Sequence, residues 1–416
     1  MKRISLFLLL FLLLKATVMY SQDGHPETNF RIVPVSPNAA SLGTYGLIPT
    51  DNYVGQARIS IPIYEIDLDG KKFPIALSYH TDGTRVAQEA TWIGLGWTLQ
   101  AGGCVVRQVQ GTDDFAARGC YNLTDAPWLT NPRFEVTDQN LEKYMGYFKG
   151  DYDAEPDMFY FNAGGHSGSM YFDVLKNNRQ LNAVPTIQTQ EKVVKMVYNT
   201  SNKTWTMTDL EGYVYSFSTK EITYYFLNTI DFFQTDITRS HIFPYYNEPQ
   251  IVTAWMLDSV TSPNGGKIMF SYKKESIFTP ISTTEDVISL SKIVNGQLSS
   301  QSPQYFTNKF NYNYSYSKIE QWTLSAITFE GGKVEFGTTD REDIESAETG
   351  KKVQKLSSIK VSDTAGNLIK TTMLEYKYLL SGMAATTNGY DDRLLLSKVY
   401  DVAGSKKNNV YTMDYN

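Results

Sequence analysis

Polar and apolar residues alternate along much of the chain. Ile59, Ile61 and Ile63 alternate with Arg58, Ser60 and Pro62. Tyr213, Tyr215 and Phe217 repeat the pattern, and Phe310, Tyr312, Tyr314 and Tyr316 alternate with Asn311, Asn313 and Ser315. A period of two puts one set on each face of a strand, so the pattern predicts half-buried β-strands. Helical spacing occurs at Leu141, Tyr144, Met145 and Phe148, with Asp138 ahead of them as a cap, and one helix is expected there. Composition agrees with a β protein: 29 Tyr and 21 Phe accompany many β-branched residues, and 29 Gly supply turns. The expected fold class is all-β, with antiparallel hairpin repeats forming an extended curled sheet or β-shell and few helices.

The second half of the chain is internally similar. Trp255-Met-Leu-Asp-Ser-Val-Thr leads through a turn to Gly-Gly-Lys-Ile-Met-Phe270. Trp322-Thr-Leu-Ser-Ala-Ile-Thr leads in the same way to Gly-Gly-Lys-Val-Glu-Phe336. Two weaker copies open at Leu356-Ser-Ser-Ile359 and Leu396-Ser-Lys-Val399 and close on Leu374, Tyr376, Tyr378 and on Tyr411, Met413, Tyr415. Each reads as strand, Gly turn and return strand, a unit that cannot bury its apolar face alone and must stack with its neighbours. The copies are irregularly spaced, and Asp286 to Tyr305, rich in Ser and Gln, reads as a loop; an insertion is expected near 282–308. Val410–Asn416 forms a last strand with no closing turn, and such an edge needs a pairing partner, either a continuing segment or another chain.

The first residues bear on compartment. Lys2 and Arg3 precede an apolar run from Leu6 to Leu14, and Lys15 ends it. That is too short to span a bilayer and fits a signal peptide over 1–21. Export to the periplasm, cell surface or extracellular space is expected, with two regions behind it: an N-terminal β region over 22–180 and a hairpin-repeat region over 181–416. No later segment reads as membrane-spanning, so an integral membrane protein is not expected. The formal charge of −6 speaks against a nucleic-acid partner. The two cysteines, Cys104 and Cys120, leave open a disulfide, a metal pair or free thiols.

Trp92-Ile-Gly-Leu-Gly-Trp-Thr-Leu-Gln-Ala-Gly-Gly103 is the densest run of Gly and Trp. Gly94 and Gly96 suggest a dinucleotide loop, but Leu99 stands where a third Gly is required and no helix pattern follows. Read as a strand, Ile93, Leu95, Trp97, Leu99 and Ala101 share one face and Trp92, Gly94, Gly96 and Thr98 the other, while Gly102 and Gly103 form a two-residue hairpin turn. The glycines on one face leave room for close sheet packing or for a ligand groove beside Trp92.

Other candidate chemistry is sparse. Asp151, Asp153, Glu155 and Asp157 put carboxylates at every second position beside Pro156, as a solvated acidic loop or a calcium-wrapping one. The Tyr312, Tyr314, Tyr316 row either stacks on sugar rings or is the buried side of a strand. His25, His80, His166 and His241 are scattered, and His166-Ser-Gly-Ser is not a triad by adjacency alone. With 44 acidic residues no glycosidase pair can be selected. No cofactor is expected beyond calcium, and no enzyme activity is expected.

With these residues assembled, the chain resembles the N-terminal region of bacterial RHS/YD-repeat secreted proteins. The likeness rests on Pro37–Gly46, Val54–Tyr64, Phe73–His80, Ala90–Gly103 with its Gly-Leu-Gly-Trp, Glu155-Pro-Asp-Met-Phe-Tyr-Phe-Asn162 with Ser167-Gly168, and the Gly-turn hairpins. It implies a sheet that curls into a hollow shell, enclosing a toxic domain in relatives that carry one. The sequence has no run of Tyr-Asp-x-x-Gly repeats, no self-cleaving core motif and no toxin domain, so no catalytic residue carries over. The resulting expectation is an exported, non-enzymatic β-shell or scaffold segment whose partner is a protein: a C-terminal continuation, a cargo or a surface partner. The alternative expectation is a surface carbohydrate-binding protein or adhesin with glycan as partner, and a third is a polysaccharide-processing enzyme.

Overall fold

In the four repeat copies, the key apolar residues are spaced three apart: Leu257 and Val260, Leu324 and Ile327, Leu356 and Ile359, Leu396 and Val399. In a regular strand such pairs face opposite ways. All eight nevertheless lie in one core. The computed structural model explains how; it describes residues 33–47, 59–80, 88–111, 113–116, 119–120, 153, 155–172, 185–187, 194–230, 242–244, 250–290, 293–294, 297–298, 307–379, 392–404 and 406–415. The segment expected as a signal peptide and the helix expected near 141–148 lie outside these residues.

Among the described residues one helix, α1 (Pro37–Leu47), precedes the strands. It starts as helices often do, with Ser36 Oγ accepting from the Ala39 amide at 3.2 Å and proline in the first turn. Strands β1 (Ile59–Leu68), β2 (Lys71–Tyr79) and β3 (Trp97–Gln100) form a small antiparallel sheet in that order. The main sheet begins with β4 (Gly103–Gln108), β5 (Met158–Ala163), β6 (His166–Tyr171), β7 (Thr186–Ile187), β8 (Val194–Asn199) and β9 (Thr204–Asp209). It continues through β10 (Val214–Ile230), β11 (Phe243–Pro244), β12 (Ile251–Thr261), β13 (Lys267–Phe278) and β14 (Ser282–Leu290). A separate ribbon, β15 (Ile293–Val294) with β16 (Gln297–Leu298), intervenes. Then come β17 (Thr307–Phe329), β18 (Gly332–Asp340), β19 (Glu345–Ser346), β20 (Gln354–Ser362), β21 (Leu368–Leu379), β22 (Arg393–Ala403) and β23 (Lys406–Thr412). The all-β fold class is as expected.

The main sheet closes on itself. Strand β10 pairs with β12 along its first half and with β17 along its second. Strand β13 joins β12 to β17, completing the ring. Strand β4 pairs with β12 through Ala254 and Val106, so the 22–180 and 181–416 regions share one sheet.

Each repeat copy is a hairpin whose opening strand carries a bulge just after its Leu. Across β10 and β12, Phe217 faces Leu257 and Ser216 faces Ser259, skipping Asp258. Ser325 is skipped between β13 and β17, Ser357 between β18 and β20, and Ser397 between β21 and β22. The extra residue restores the phase, so residues three apart both point inward, and each bulge adds local twist. A bulge also leaves a backbone carbonyl without its ladder partner. In three copies a tyrosine of the return strand answers it: Tyr272 donates to Leu257 O at 2.7 Å, Tyr376 to Leu356 O at 2.5 Å and Tyr415 to Leu396 O at 2.7 Å. The corresponding position of the second copy is Thr338.

The small sheet packs into the same core as the main one. Ile61, Ile63, Ile66 and Leu68 are all buried; a bulge between Pro62 and Tyr64 shifts β1 from odd to even inward positions. Polar and ring contacts tie this sheet to distant parts of the wall: Lys370 Nζ donates to Ile63 O at 3.0 Å, Tyr213 OH to Leu68 O at 3.0 Å, and Tyr64 meets Phe329. The space that a curled sheet would enclose is thus packed, at this end, by the chain's own strands.

The Gly/Trp-rich stretch is not the strand expected from its period of two. Residues 91–96 make two tight turns, at Gly94 (φ +118°) and Gly96 (φ +75°), and the strand starts only at Trp97. A side chain at Gly94 would place its Cβ 2.9 Å from Leu396 N. Gly102 and Gly103 do not close a hairpin either: β3 pairs with β2, whereas β4 pairs with β5 and β12. They are the corner where the chain leaves the small sheet for the main one. Gly103 is required because a Cβ there would lie 2.4 Å from Asn162 O. The insertion expected as a loop near 282–308 also differs: Ser282–Leu290 is a strand paired with Thr307–Ser315, so β17 extends into a second, longer hairpin.

Tyr376→Phe is expected to lower unfolding stability in urea by roughly 1–2 kcal/mol, because the Leu356 carbonyl loses its donor. Tyr411→Phe, at an exposed position, is the control and should stay within about 0.5 kcal/mol. Equal effects would mean that the hydroxyl contributes nothing at the bulge.

Candidate functional site

The densest chemistry gathers on β4. Arg107 sits in the run Cys104-Val-Val-Arg107-Gln-Val109 and is only 1% exposed. Its Nε donates to Asp157 Oδ2 at 2.7 Å, and its Nη2 reaches both Asp157 and Asp113. Asp157 stands just before β5, beside Arg107 through the β4–β5 pairing. Its other oxygen accepts from the Gln110 amide at 2.7 Å. Asp114 and Asp157 are cross-linked through backbone: the Asp157 amide donates to Asp114 Oδ2 at 2.8 Å, and the Asp114 amide to Asp157 Oδ2 at 3.3 Å. The Phe115 ring covers the guanidinium at 4.8 Å.

One guanidinium thus contacts two carboxylates, Asp113 and Asp157, and a third, Asp114, is buried beside Asp157. The excess is relieved by a proton. Burial and the neighbouring Asp157 charge push the Asp114 carboxyl up to about 9, with the Asp157 amide and Arg107 opposing. Burial lifts Asp157 as well, against the Arg107 guanidinium and the Gln110 amide. Asp114 Oδ1 has no hydrogen-bond partner among the described residues. A substrate cannot reach this acid, because Asp114 and Asp157 are both fully buried. The cluster acts as a joint between β4, the 113–116 turn and the lead into β5.

The acidic run expected to wrap calcium is only partly described. Asp157 is engaged by Arg107 and Glu155 is exposed, while Asp153 is buried and bound to the Glu155 amide at 2.9 Å. The three do not converge, and Asp151 lies outside the described residues. Among the described residues no group of three or more His, Cys, Asp or Glu is arranged to hold a metal ion.

A second joint centres on Asp209. Lys71 Nζ meets it at 2.5 Å and Tyr215 OH at 3.1 Å, while its other oxygen takes the Glu211 and Tyr213 amides. Burial raises the Asp209 carboxyl, yet Lys71 and these amides outweigh it and hold it below the usual range. His166 Nε2 stands 3.7 Å from the same carboxylate, on the first residue of β6. A third joint is Arg341 with Asp343: Arg341 donates to the Ala90 and Thr91 carbonyls, and Asp343 takes the Leu394 amide. Together with Leu356 N to Trp92 O and Leu95 N to Leu394 O, it pins the glycine turns to β20 and β22.

A fourth fixes α1. Glu221 is fully buried; its Oε1 accepts from the Ser36 amide at 2.9 Å and from Thr253 Oγ1 at 3.0 Å. Asn38 accepts from the Trp92 amide and donates to Gln321. Between α1, Trp92 and Trp322 lies a cavity of about 40 Å³, room for about one water.

The remaining expected sites resolve into architecture. Tyr314 and Tyr316 are buried with Ile242, Tyr312 packs against them, and Tyr316 stacks on Phe226 at 4.5 Å. Tyr314 and Tyr316 are therefore core, and Tyr312 is half-buried. Trp92 is 6% exposed, packs on Phe336 and lines the small cavity beside α1. Trp97 donates to Tyr415 OH, Trp255 to Lys203 O and Trp322 to Lys220 O, so each structural tryptophan ties two segments together. Cys104 and Cys120 are both buried, and no disulfide joins them. Sequence reasoning missed Arg107, Asp114, Lys71, Asp209, Glu221 and Arg341; the available signal was a charged residue inside an apolar strand, as in Val-Val-Arg-Gln-Val.

Asp114 lies near 3.8 when unfolded and about 9 when folded, so folding takes up a proton between these values. Its contribution is complete at the acid end and is lost as pH rises through about 9. Asp114→Asn keeps the neutral shape and should flatten the fall in stability between roughly pH 4 and 9; superimposable profiles would place the proton elsewhere. Thiol titration without reductant should find two thiols in denaturant and almost none in the native protein; none in denaturant would restore the disulfide.

No protein-family model matches the sequence, and no curated protein matches it. Among solved structures, the Photorhabdus luminescens Tc holotoxin pore is similar at 10% identity with a TM-score of 0.38, covering 92% of this chain and 16% of that one. The TcdB2-TccC3-Cdc42 structure is similar at 11% identity and a TM-score of 0.34, covering 86% and 15%. The TcdB2-TccC3-TEV structure follows at 12% and 0.33, covering 95% and 16%. The chain thus spans about one sixth of the length of the solved chains it matches.

Proposed function

We propose that this protein is an exported, non-enzymatic β-scaffold segment of the RHS/YD-repeat type, working through protein partners. The observation that carries this reading is the repeated junction, in which the same bulge follows the opening Leu of every hairpin copy. A sheet built this way extends one hairpin at a time. The buried ionisable groups support the same reading, since Arg107, Asp209, Arg341 and Glu221 are each engaged in joining segments. Two of the three tyrosines on which glycan stacking was expected, Tyr314 and Tyr316, are buried.

The test is expression in the native host followed by N-terminal sequencing and an activity screen. A mature protein starting near residue 22 is expected in the exported fraction, with no turnover across peptide, ester, phosphodiester and polysaccharide substrates. A hydrolase activity abolished by one point substitution would overturn the proposal.

A further inference from the structure

Residues 33–47 lie against the wall rather than within it. Their apolar contacts form two small clusters outside the main core: Val33 with Val109 and Ile251, and Ala39 with Cys104, Val106, Ala254 and Met256. The opposite faces of the same strands, through Val105, Trp255 and Leu257, belong to the main core. Removing α1 would therefore bare one side of β4 and β12 and leave the other side packed. Segments attached by so few apolar contacts open before the rest of a fold does.

Polar ties hold this segment down, and they lead to buried acids. Glu221 of β10 is fully buried and accepts from the Ser36 amide and Thr253 Oγ1. Its Oε2 has no hydrogen-bond partner among the described residues. Thr223 of the same strand donates to Pro34 O at 3.0 Å. The charged groups around Glu221 do not neutralise it. Lys220 reaches away to Asn202 O, and Glu320 of β17 is paired with Lys274. Cys104 of β4 is buried near it; burial, aided by the Glu221 charge, pushes that thiol up. A second acid, Glu275 of β13, is tied to α1 through Gln321 and Asn38. Burial lifts it to about 7, with Arg341 opposing and Glu348 adding to the rise.

A carboxylate sealed beneath α1 without a cation is costly, whereas the neutral acid is not. Burial accordingly raises the Glu221 carboxyl, against its bonds to Ser36 and Thr253. Once α1 lifts, water reaches the group and its ordinary value of 4.5 returns. Glu221 thus holds its proton more tightly with α1 seated than with α1 lifted. The proton's contribution to seating is complete at the acid end and is lost as pH rises through the raised value.

We propose that α1 is a pH-gated cover. It stays seated while Glu221 is neutral and lifts together with residues 33–36 when Glu221 ionises, uncovering Cys104, Val106, Ala254 and Met256 while the barrel stays closed.

The test is amide hydrogen exchange on the full chain from about pH 5 to about pH 9, with the intrinsic pH dependence of exchange divided out. Opening of α1 is expected to grow by up to about tenfold per pH unit, the slope of one proton, while β20–β22 stay protected. Glu221→Gln should flatten that profile, and Glu275→Gln should keep it. Asn38→Ala should raise the opening at every pH and leave the slope unchanged. A wild-type profile without slope would overturn the proposal, and this needs no variant to fold. So would a slope kept by Glu221→Gln or removed by Glu275→Gln, or exchange that rises across the whole sheet together with α1.

Discussion

One extra backbone residue after each opening Leu is what the rest of the architecture depends on. Without it, Leu356 and Ile359 would point to opposite faces, and so would their counterparts in the other copies. With it, both enter the core and the strand bends. A long antiparallel sheet left flat would present edges and a half-covered face. Four bulges in the same place turn the wall toward its own interior. The tyrosine hydroxyls at Leu257, Leu356 and Leu396 satisfy the carbonyls that the bulges strand.

What the wall encloses here is chiefly the chain's own small sheet. Its contacts reach β9, β10, β17 and β21, which fixes the separation of strands far apart in sequence. The charged joints lie where segments change sheets or leave a turn. Arg107 holds the lead into β5, Lys71 and Asp209 hold the first hairpin to the β9–β10 turn, and Arg341 and Asp343 hold the glycine turns. Buried ion pairs of this kind add little net stability, because desolvation offsets attraction. Breaking one partner is costly, however, so each joint penalises any other arrangement of the segments it connects.

The fold class and the hairpin repeat were legible because they rest on local pattern: alternation in β10 and β17, and Gly turns between matched strands. The bulge was visible too, as a spacing of three where two was due, but only the pairing register gives that spacing a meaning. The Gly/Trp stretch misled because its alternation arises from two turns: Gly94 is dictated by the backbone of β22, some three hundred residues away in sequence, and Gly96 by the close approach of Tyr79 and His80. The same holds for Gly102 and Gly103, where the reason for glycine is the approach of Asn162. The α1 helix had a cap at Ser36 and a proline after it, yet its glycines masked the helical pattern. The acidic run was read as a ligand set because its counter-charge, Arg107, comes from another strand.

The junction has a further consequence for how such a sheet can change over time. Each bulge resets the register, since only the Leu, the skipped residue and the facing position must match. Length added between two copies therefore does not propagate as a slip into the next. The β14–β17 hairpin, grown between the first and second copies, leaves Leu324 and Ile327 in the same core as Leu257 and Val260. Insertions accumulate at the rim while the wall keeps its frame.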